Sequence, residues 1–245
     1  MHTKGRGGVK GAVRCIYSQL HKYRFAARLD IKSYYNSIDH DILLELLNNF
    51  GAEEDLLDIV QQYLKVPDKN NSGVGLVAGG ALSPFLGAVY LSPLDKAMEK
   101  LCLKENIFYT RYQDDLVILA KSRWKLRKTL KTLYSVLSEL KLNVHTKEKR
   151  FIGKIEKGFS FLGYFFKPGR KLRPSRESLK RVVSNSIRLF EQGADRSQLR
   201  IYLERWILYF RGGLRGMVQI KSIKKIQKLI EYNINKLNII IDYSK

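Results

Sequence analysis

Cysteine is scarce in this sequence. Only Cys15 and Cys102 occur among 245 residues, and there is no Cys-x-x-Cys pair or cluster of cysteine with histidine. These counts exclude a disulfide framework and a zinc cluster as organising features. We therefore expect a reducing, cytoplasmic compartment, in which both thiols are small buried side chains.

Long apolar runs are also missing. No stretch approaches the roughly 18 to 20 apolar residues that a membrane-spanning helix needs. The first residues, MHTKGRGGVKG, lack the apolar segment of a secretory signal. We therefore expect no membrane partner. Hydrophobic residues still make up 44% of the chain, which is enough to bury the core of one large domain or two small ones.

Acidic residues are few: 23 stand against 45 lysines and arginines, for a net charge of +22. Residues 1–29 contain no acidic residue, and residues 168–245 carry a net charge of +12. Such an excess is expected of a protein that binds a polyanion, and nucleic acid is the first candidate. Two basic flanks around a more acidic middle predict a metal-binding site between surfaces that hold phosphates.

The order of predicted elements indicates the fold class. Strands and helices mix in the first two thirds, and the pattern is helical after a linker that contains Pro168, Gly169 and Pro174. Helices that cover one face of an antiparallel sheet make the first part α+β. The predicted elements, in chain order, are strand 25–31, helices 41–50 and 53–65, loop 68–81, helix 83–103 interrupted near Pro93, strands 107–112 and 116–120, helix 122–141, and short strands at 151–152 and 159–166.

Three carboxylates stand where predicted strands end. Asp30 ends FAARLD, and Asp114 with Asp115 lies between two apolar strands in RYQDDLVIL. Adjacent aspartates repel each other, so a bound cation is one reason to place them there. The alternative is a solvated hairpin turn, because aspartate is a common turn residue.

Four motifs in order carry a family resemblance, and a fifth stretch extends it. Together they closely resemble the palm motifs of bacterial reverse transcriptases of the group II intron and retron lineages, and the fifth resembles the thumb helix of the intron enzymes. The segments are LDIKSYYNSIDHDILLELL (29–47), GGALSPFLGAVYLSPLD (79–95), RYQDDLVIL (111–119), GFSFLGYFF (158–166) and IYLERWILYFRGGLRG (201–216).

The resemblance implies a metal-dependent centre. Asp30, Asp114 and Asp115 would bind two Mg²⁺ ions, with Mn²⁺ as a substitute, and the Ile31 backbone would share one ion. Lys147 would be the catalytic lysine that protonates the pyrophosphate leaving group. Lys149 is the alternative to Lys147, and a solvated turn is the alternative to both.

The resemblance also implies how nucleotide and primer are held. Tyr35, rather than its neighbour Tyr34, would be the bulky side chain that excludes a ribose 2′-hydroxyl. Gly79 and Gly80, with Ala78 before them, would lie under the nucleotides. Relatives usually carry Pro-Gln where this chain has Val77 and Ala78, which removes an amide that would contact the incoming nucleotide. The hairpin residues expected to form a primer grip are Phe161, Leu162, Gly163 and Tyr164.

These motifs predict a right-hand polymerase palm over residues 1–167 and a basic, all-helical thumb over residues 168–245. An RNA template, a DNA primer and deoxynucleotides are the expected partners. Trp124 and Trp206 are expected to serve in packing. The residues expected to contact nucleic-acid phosphates are Arg173, Arg176, Lys180, Arg181, Arg205 and Arg211.

The start of the chain departs from the family pattern. The residues before Asp30 resemble the segment just upstream of the first catalytic aspartate, so the usual fingers motifs are not found. We expect a truncated reading frame, or fingers supplied by a second polypeptide. The glycine-rich stretch with Arg6, Lys10 and Arg14 is either a fingers remnant that holds phosphates or a flexible basic arm.

Two function classes follow from these observations. The first is an RNA-directed DNA polymerase that transfers a nucleotide to a primer 3′-hydroxyl with two metal ions. The second is a nucleic-acid-binding palm scaffold, active in the folding or splicing of a structured RNA, with little synthesis of its own. The intact aspartates favour the first class, while Ala78 and the missing fingers motifs favour the second. The host element, whether intron, retron or defence system, stays open.

Overall fold

The computed structural model describes residues 7–66, 72–146 and 150–219, together with the single residues 228 and 232. Contacts between residues divide the chain into two compact units. The first unit consists of Met1–Gly8 and Gln19–Ile155, and the second consists of Val9–Ser18 and Glu156–Lys245.

A four-stranded antiparallel sheet forms the centre of the first unit. Its spatial order is β2-β3-β1-β4, so the first strand of the chain lies inside the sheet. Asp30 pairs with Asp115 across β1 and β3, and Arg28 pairs with Phe151 across β1 and β4. The strands are β1 (Phe25–Asp30), β2 (Phe108–Tyr112), β3 (Asp115–Ala120) and β4 (Phe151–Lys154).

Within the described residues of this unit, five helices share a hydrophobic core with one face of this sheet. Alternate strand residues such as Ala27, Leu29 and Ile118 point to that face and join one hydrophobic core with leucines of the helices. The helices are α2 (His40–Asn49), α3 (Glu54–Lys65), α4 (Ser83–Tyr90), α5 (Ser92–Glu105) and α6 (Arg123–Glu139). The predicted α+β class, an antiparallel sheet with helices on one face, is confirmed.

Local sequence explains where these helices begin and end. The Asp39 side chain accepts a hydrogen bond from the backbone N–H of Ile42 at 3.1 Å and caps α2. Ser122 caps α6 in the same way. Gly51, with φ of +77°, follows the end of α2, where a left-handed residue favours glycine. The predicted break near Pro93 separates α4 from α5.

Between residues 8 and 219, the described part of the second unit contains a small sheet and three helices. Strands β5 (Phe159–Phe161), β6 (Tyr164–Phe166) and β7 (Arg173–Pro174) form an antiparallel sheet, and the helices are α1 (Gly8–Gln19), α7 (Arg176–Glu191) and α8 (Arg196–Arg211). Residues 212–219 are not helical, because Val218 forms a parallel bridge with Leu172. The hydrogen bonds of that bridge hold the chain extended after α8.

Residues 8–19 form a helix rather than a flexible arm. Lys10 of α1 donates hydrogen bonds to the carbonyls of Tyr209 and Phe210 at the end of α8 and to the hydroxyl of Tyr164. A cation at a helix C-terminus is favoured by the helix dipole and by the unsatisfied carbonyls. These contacts explain why α1 belongs to the second unit.

The expected boundary between palm and thumb at residues 167 and 168 divides the chain by function and stays a prediction. Contacts instead divide it after Ile155 and assign α1 to the second unit. Within the described ranges, none of the helices has both the length and the apolar character needed to cross a membrane.

Candidate active site

The β2–β3 hairpin presents Asp114 and Asp115 at its tip. Gln113 takes a left-handed conformation with φ of +54°, which turns the chain between the strands. Beneath the turn, the buried Arg111 guanidinium donates to the Gln113 carbonyl at 3.0 Å and forms a two-pronged ion pair with Asp95. The Asp95 carboxylate also accepts a hydrogen bond from Tyr109 at 2.8 Å. The Arg111–Asp95 pair therefore braces the hairpin from the core side.

The third carboxylate lies opposite this tip. Asp30 is the last residue of β1 and pairs with Asp115, so their side chains point to the same face of the sheet. The backbone N–H of Ile31 donates to the Asp114 carbonyl at 3.2 Å, which ties the end of β1 to the turn. The structure thus brings Asp30, Asp114 and Asp115 together at the neighbouring ends of β1 and β3.

Burial and the neighbouring negative charges make Asp114 and Asp115 costly to ionise. Burial is the largest cause of the raised pKa of Asp115; Arg28 opposes the rise, Asp30 and Asp114 add to it, and the pKa is about 6. Burial also raises the pKa of Asp114, with a further contribution from Asp30. A polar cluster of this kind, with perturbed pKa values, is characteristic of functional sites.

Two residues that sequence analysis did not single out complete the cluster. Arg28, two residues before Asp30 on β1, donates to the Asp115 carboxylate at 2.9 Å. His145 follows α6, and its Nε2 lies 3.8 Å from Oδ2 of Asp30. Its backbone N–H donates to the Asp30 carbonyl at 2.8 Å. Arg28 could have been identified from the sequence, because a residue two positions before Asp30 on a strand points to the same face. Nothing in the sequence indicates that residue 145 lies near Asp30.

The three carboxylates are chemically suited to bind a hard divalent cation, although their side chains do not converge on one point. Within the part of the chain that the structure describes, no three acidic, histidine or cysteine side chains converge closely enough to hold an ion. Arg28 supplies the positive charge next to Asp115 instead. Carboxylate oxygens are the ligands that Mg²⁺ prefers, and an ion among them would favour the ionised carboxylates and so lower both raised pKa values.

The two adjacent tyrosines have different environments. Tyr34 is buried in the core, and its hydroxyl donates to the Gly87 carbonyl. Tyr35 is half-buried and stacks on Tyr34 with ring centroids 5.5 Å apart. Burial raises the pKa of the Tyr35 hydroxyl, and Asp114 raises it further, so this hydroxyl lies within the field of the carboxylates.

Residues 77–80 form a tight turn before α4. The N–H of Gly80 donates to the Val77 carbonyl at 3.1 Å, and Gly79 has φ of +81° while Ala78 is exposed beside it. A Cβ on Gly80 would lie 1.9 Å from the Tyr63 hydroxyl, so any larger residue here would displace the Tyr63 side chain. The glycine pair is therefore explained by the turn and by close packing of Tyr63.

The expected primer-grip residues form the β5–β6 hairpin in the second unit. Leu162 and Gly163 are its two turn residues, with φ of +47° and +83°, and both remain partly exposed. Phe161 and Tyr164 are buried. The Tyr164 hydroxyl donates to the Phe210 carbonyl at 2.9 Å, so this side chain is committed to packing within the unit.

The six expected phosphate-contacting residues are all exposed. Across the described segments, none of them forms an ion pair with an acidic side chain. The Arg173 guanidinium lies 5.7 Å from the centre of the Phe165 ring. Lys147 and its alternative Lys149 lie outside the described residues. These six residues are Arg173, Arg176, Lys180, Arg181, Arg205 and Arg211.

Comparison with protein families identifies the class. Residues 3–166 match the family model "Reverse transcriptase (RNA-dependent DNA polymerase)", which covers more than half of the chain. The chain therefore belongs to the reverse transcriptase family, as the motifs predicted.

Two curated relatives match shorter segments. The retron Ec83 reverse transcriptase of Escherichia coli is 26% identical over 105 residues, which are 40% of this chain and 33% of that protein. The putative COX1/OXI3 intron 2 protein of Saccharomyces cerevisiae is 29% identical over 89 residues, which are 34% of this chain and 10% of that protein. The matched segments thus span a third or less of these relatives.

Solved structures share the fold. Telomerase from Candida albicans, in complex with a TWJ fragment of telomeric RNA, superposes with a TM-score of 0.55 at 13% identity, over 95% of this chain and 46% of that one. Apo telomerase from Candida tropicalis, truncated from the C-terminal domain, gives 0.52 at 15% identity, over 68% of this chain and 39% of that one. At these identities the likeness establishes the fold alone.

Proposed function

We propose that this chain catalyses RNA-directed DNA synthesis, in which a deoxynucleotide is added to the 3′-hydroxyl of a DNA primer paired with an RNA template. The observation that carries the proposal is the proximity of Asp30, Asp114 and Asp115 at the neighbouring ends of β1 and β3, in a chain that belongs to the reverse transcriptase family. In the reaction, the primer 3′-oxygen bonds to the α-phosphorus, and the bond to pyrophosphate breaks.

The three carboxylates, with the backbone of Ile31, are the residues that would hold two Mg²⁺ ions, for which Mn²⁺ could substitute. When bound, such ions supply the positive charge that stabilises the attacking and leaving oxygens. Asp30 and Asp115 are fixed by the strand register, and Asp114 by the turn that Arg111 braces. The protein therefore presents its ligands from rigid elements, which favours a defined geometry.

Other residues would select and hold the substrates. Tyr35, beside the carboxylates, would exclude a ribose 2′-hydroxyl, and the turn at 77–80 would lie under the nucleotide bases. Leu162 and Gly163 are the exposed part of the primer-grip hairpin and would contact the primer backbone. The six exposed basic residues of the second unit would bind duplex phosphates without regard to sequence. Lys147 stays the predicted proton donor to pyrophosphate.

Primer extension tests the proposal directly. The purified chain is given a labelled DNA primer on an RNA template, deoxynucleotides and Mg²⁺, with a chelator as the control. We expect extension that depends on the template and the metal. A chain that binds the duplex but never extends it, with Mg²⁺ or Mn²⁺, would contradict polymerase activity.

That negative outcome would favour a second candidate, a nucleic-acid-binding scaffold for a structured RNA. Two observations support this candidate. Arg28 already neutralises Asp115, and the exposed Ala78 offers no amide to a nucleotide. Binding of structured RNA without synthesis would then be the activity of the chain.

A further inference from the structure

The first half of α6 is the most uniformly basic stretch of the first unit. Six basic residues and no acidic residue occur between positions 121 and 131. The opposite side of the helix carries Leu126, Leu130, Leu133 and Leu137, which join the core. The basic residues, most of them exposed, are Lys121, Arg123, Lys125, Arg127, Lys128 and Lys131.

A tryptophan stands in the middle of this basic face. Trp124 is 65% exposed, and Arg127, Lys128 and Lys131 follow it at the spacing that shares one side of a helix. The Lys128 ammonium lies 5.3 Å from the centre of the indole ring. Packing was the role expected of Trp124, but an indole this exposed contributes little to a core.

Local acidic groups account for only part of this charge. Glu105 accepts a hydrogen bond from Lys128 at 2.6 Å, and its backbone carbonyl accepts one from Lys125 at 2.7 Å. Within the described ranges, Arg123, Arg127 and Lys131 take part in no ion pair. At least three cations of the face are therefore available to an outside anion.

The position of α6 separates this face from the catalytic carboxylates. The helix packs on the sheet face that carries Leu29 and Ile118, whereas Asp30 and Asp115 project from the other face. Nucleic acid held at the carboxylates therefore occupies the opposite side of the sheet. A ligand bound to the exposed tryptophan and its cations would therefore be separate from the nucleic acid at the carboxylates.

We infer that the α6 surface, defined by Arg123, Trp124, Arg127, Lys128 and Lys131, is a second nucleic-acid-binding site that takes an unpaired RNA segment outside the primer–template duplex. Single strands present bases that stack on an aromatic ring and phosphates that pair with neighbouring cations, and this surface interleaves both groups. That the bound strand is RNA rests on the proposed function. That the α6 surface binds a single strand does not depend on it.

Binding in the presence of competitor isolates this site. A short unstructured RNA with a fluorescent label is titrated with the full chain, while unlabelled primer–template duplex saturates the other basic surfaces. Trp124→Leu should weaken RNA binding about tenfold, because stacking of one base is lost, and Trp124→Phe should retain most of the affinity. The readout is binding, so the result does not depend on whether the chain synthesises DNA.

Charge-reversal variants provide a second test of the α6 surface. Arg127→Glu combined with Lys131→Glu should weaken binding and reduce the slope of log affinity against log salt by about 0.7 for each lost phosphate contact. Lys65→Glu combined with Lys100→Glu, an equal charge change at exposed residues of α3 and α5, is the matched control and should leave RNA affinity unchanged. Thermal unfolding checks that each variant is folded.

Unchanged RNA affinity in folded Trp124→Leu and charge-reversal variants would overturn the inference. An equal loss of affinity for poly-glutamate would also overturn it, since the surface would then attract any polyanion. Loss of affinity for unpaired RNA, with duplex affinity retained, would support it, whereas a loss confined to unpaired DNA of the same sequence would contradict the choice of RNA.

Discussion

At the scale of single residues, the main feature of the candidate site is the balance between three carboxylates and the positive charge of Arg28. Asp30 lies close enough to Asp114 and Asp115 to raise the cost of ionising both, and Arg28 offsets part of that cost at Asp115. Because Arg28 lies on the same strand face as Asp30, this balance is built into the register of β1 and β3.

The raised pKa of Asp115 predicts how stability varies with pH. Its folded-state value of about 6 exceeds the unfolded value, so between roughly pH 4 and pH 6 the folded state binds more protons. Stability from this residue is therefore present at low pH and is lost as the pH rises through 6. Relative to Asp115→Asn, the metal-free wild type should lose about 2 to 3 kcal/mol of unfolding free energy between pH 4 and pH 7.

Denaturant unfolding of both proteins at several pH values, with chelator, measures this difference. Saturating Mg²⁺ should reduce it, because an ion favours the ionised carboxylate. A difference between wild type and variant that stays constant with pH would show that burial does not perturb Asp115.

Tyr35 makes a second residue-scale prediction. Tyr35→Ala should increase incorporation of ribonucleotides relative to deoxynucleotides, because a methyl side chain cannot block a 2′-hydroxyl. Tyr35→Phe keeps the ring and should keep the selection. The ratio of incorporation efficiencies for the two nucleotide types measures the effect, and an unchanged ratio in Tyr35→Ala would remove this role from Tyr35.

At the scale of elements, contacts between residues distant in sequence determine where each helix and strand packs. The hairpin that carries Asp114 could be predicted from two β-prone runs and an acidic turn, and the break between α4 and α5 from Pro93. The place of α1 could not, because it depends on Lys10 meeting Phe210, two hundred residues further along the chain. Likewise, no local pattern indicates that Val218 pairs with Leu172 after α8.

Lys10 should be important to the stability of the second unit. Burial lowers the pKa of its ammonium, which is held by carbonyls at the end of α8 and by the Tyr164 hydroxyl. Lys10→Met should destabilise the unit by about 1 to 3 kcal/mol, since buried acceptors lose a charged donor. Arg14→Met, at an exposed residue of α1, is the matched control and should have little effect.

Tryptophan fluorescence makes the measurement specific to this unit. The chain has two tryptophans, so a Trp124→Phe background leaves Trp206, which stacks on Phe210 at 5.5 Å. Equal unfolding midpoints for the Lys10→Met and Arg14→Met variants in that background would contradict a stabilising role for the contacts of Lys10 with α8 and Tyr164.

At the scale of the whole molecule, the net charge of +22 predicts salt-dependent, sequence-independent binding of duplex. The exposed cations on α7 should supply part of this. Replacing Arg176, Lys180 and Arg181 with alanine should reduce the slope of log affinity against log salt by about 0.9 for each lost phosphate contact. Lys100→Ala, at an exposed lysine of α5, is the control. An unchanged slope in the triple variant would exclude α7 from the duplex-binding surface.

The family and the three aspartates could be predicted from the sequence because ordered motifs carry them. The neutralising role of Arg28 and the proximity of His145 could not, since strand register and a connection after α6 create both. The exposure of Trp124 could have been predicted, because the helical spacing of Leu126, Leu130 and Leu133 places it on the opposite side of α6.

Single-nucleotide incorporation by Asp114→Asn with Mg²⁺ tests whether the three carboxylates form a polymerase centre. Duplex affinity is measured beside it. We expect incorporation to fall by about a hundredfold or more, as expected when stabilisation of transition-state charge is lost, while duplex affinity stays near wild type. Asp41→Asn, at an exposed aspartate of α2, is the matched control and should retain both. Incorporation by Asp114→Asn at the wild-type rate would contradict the account.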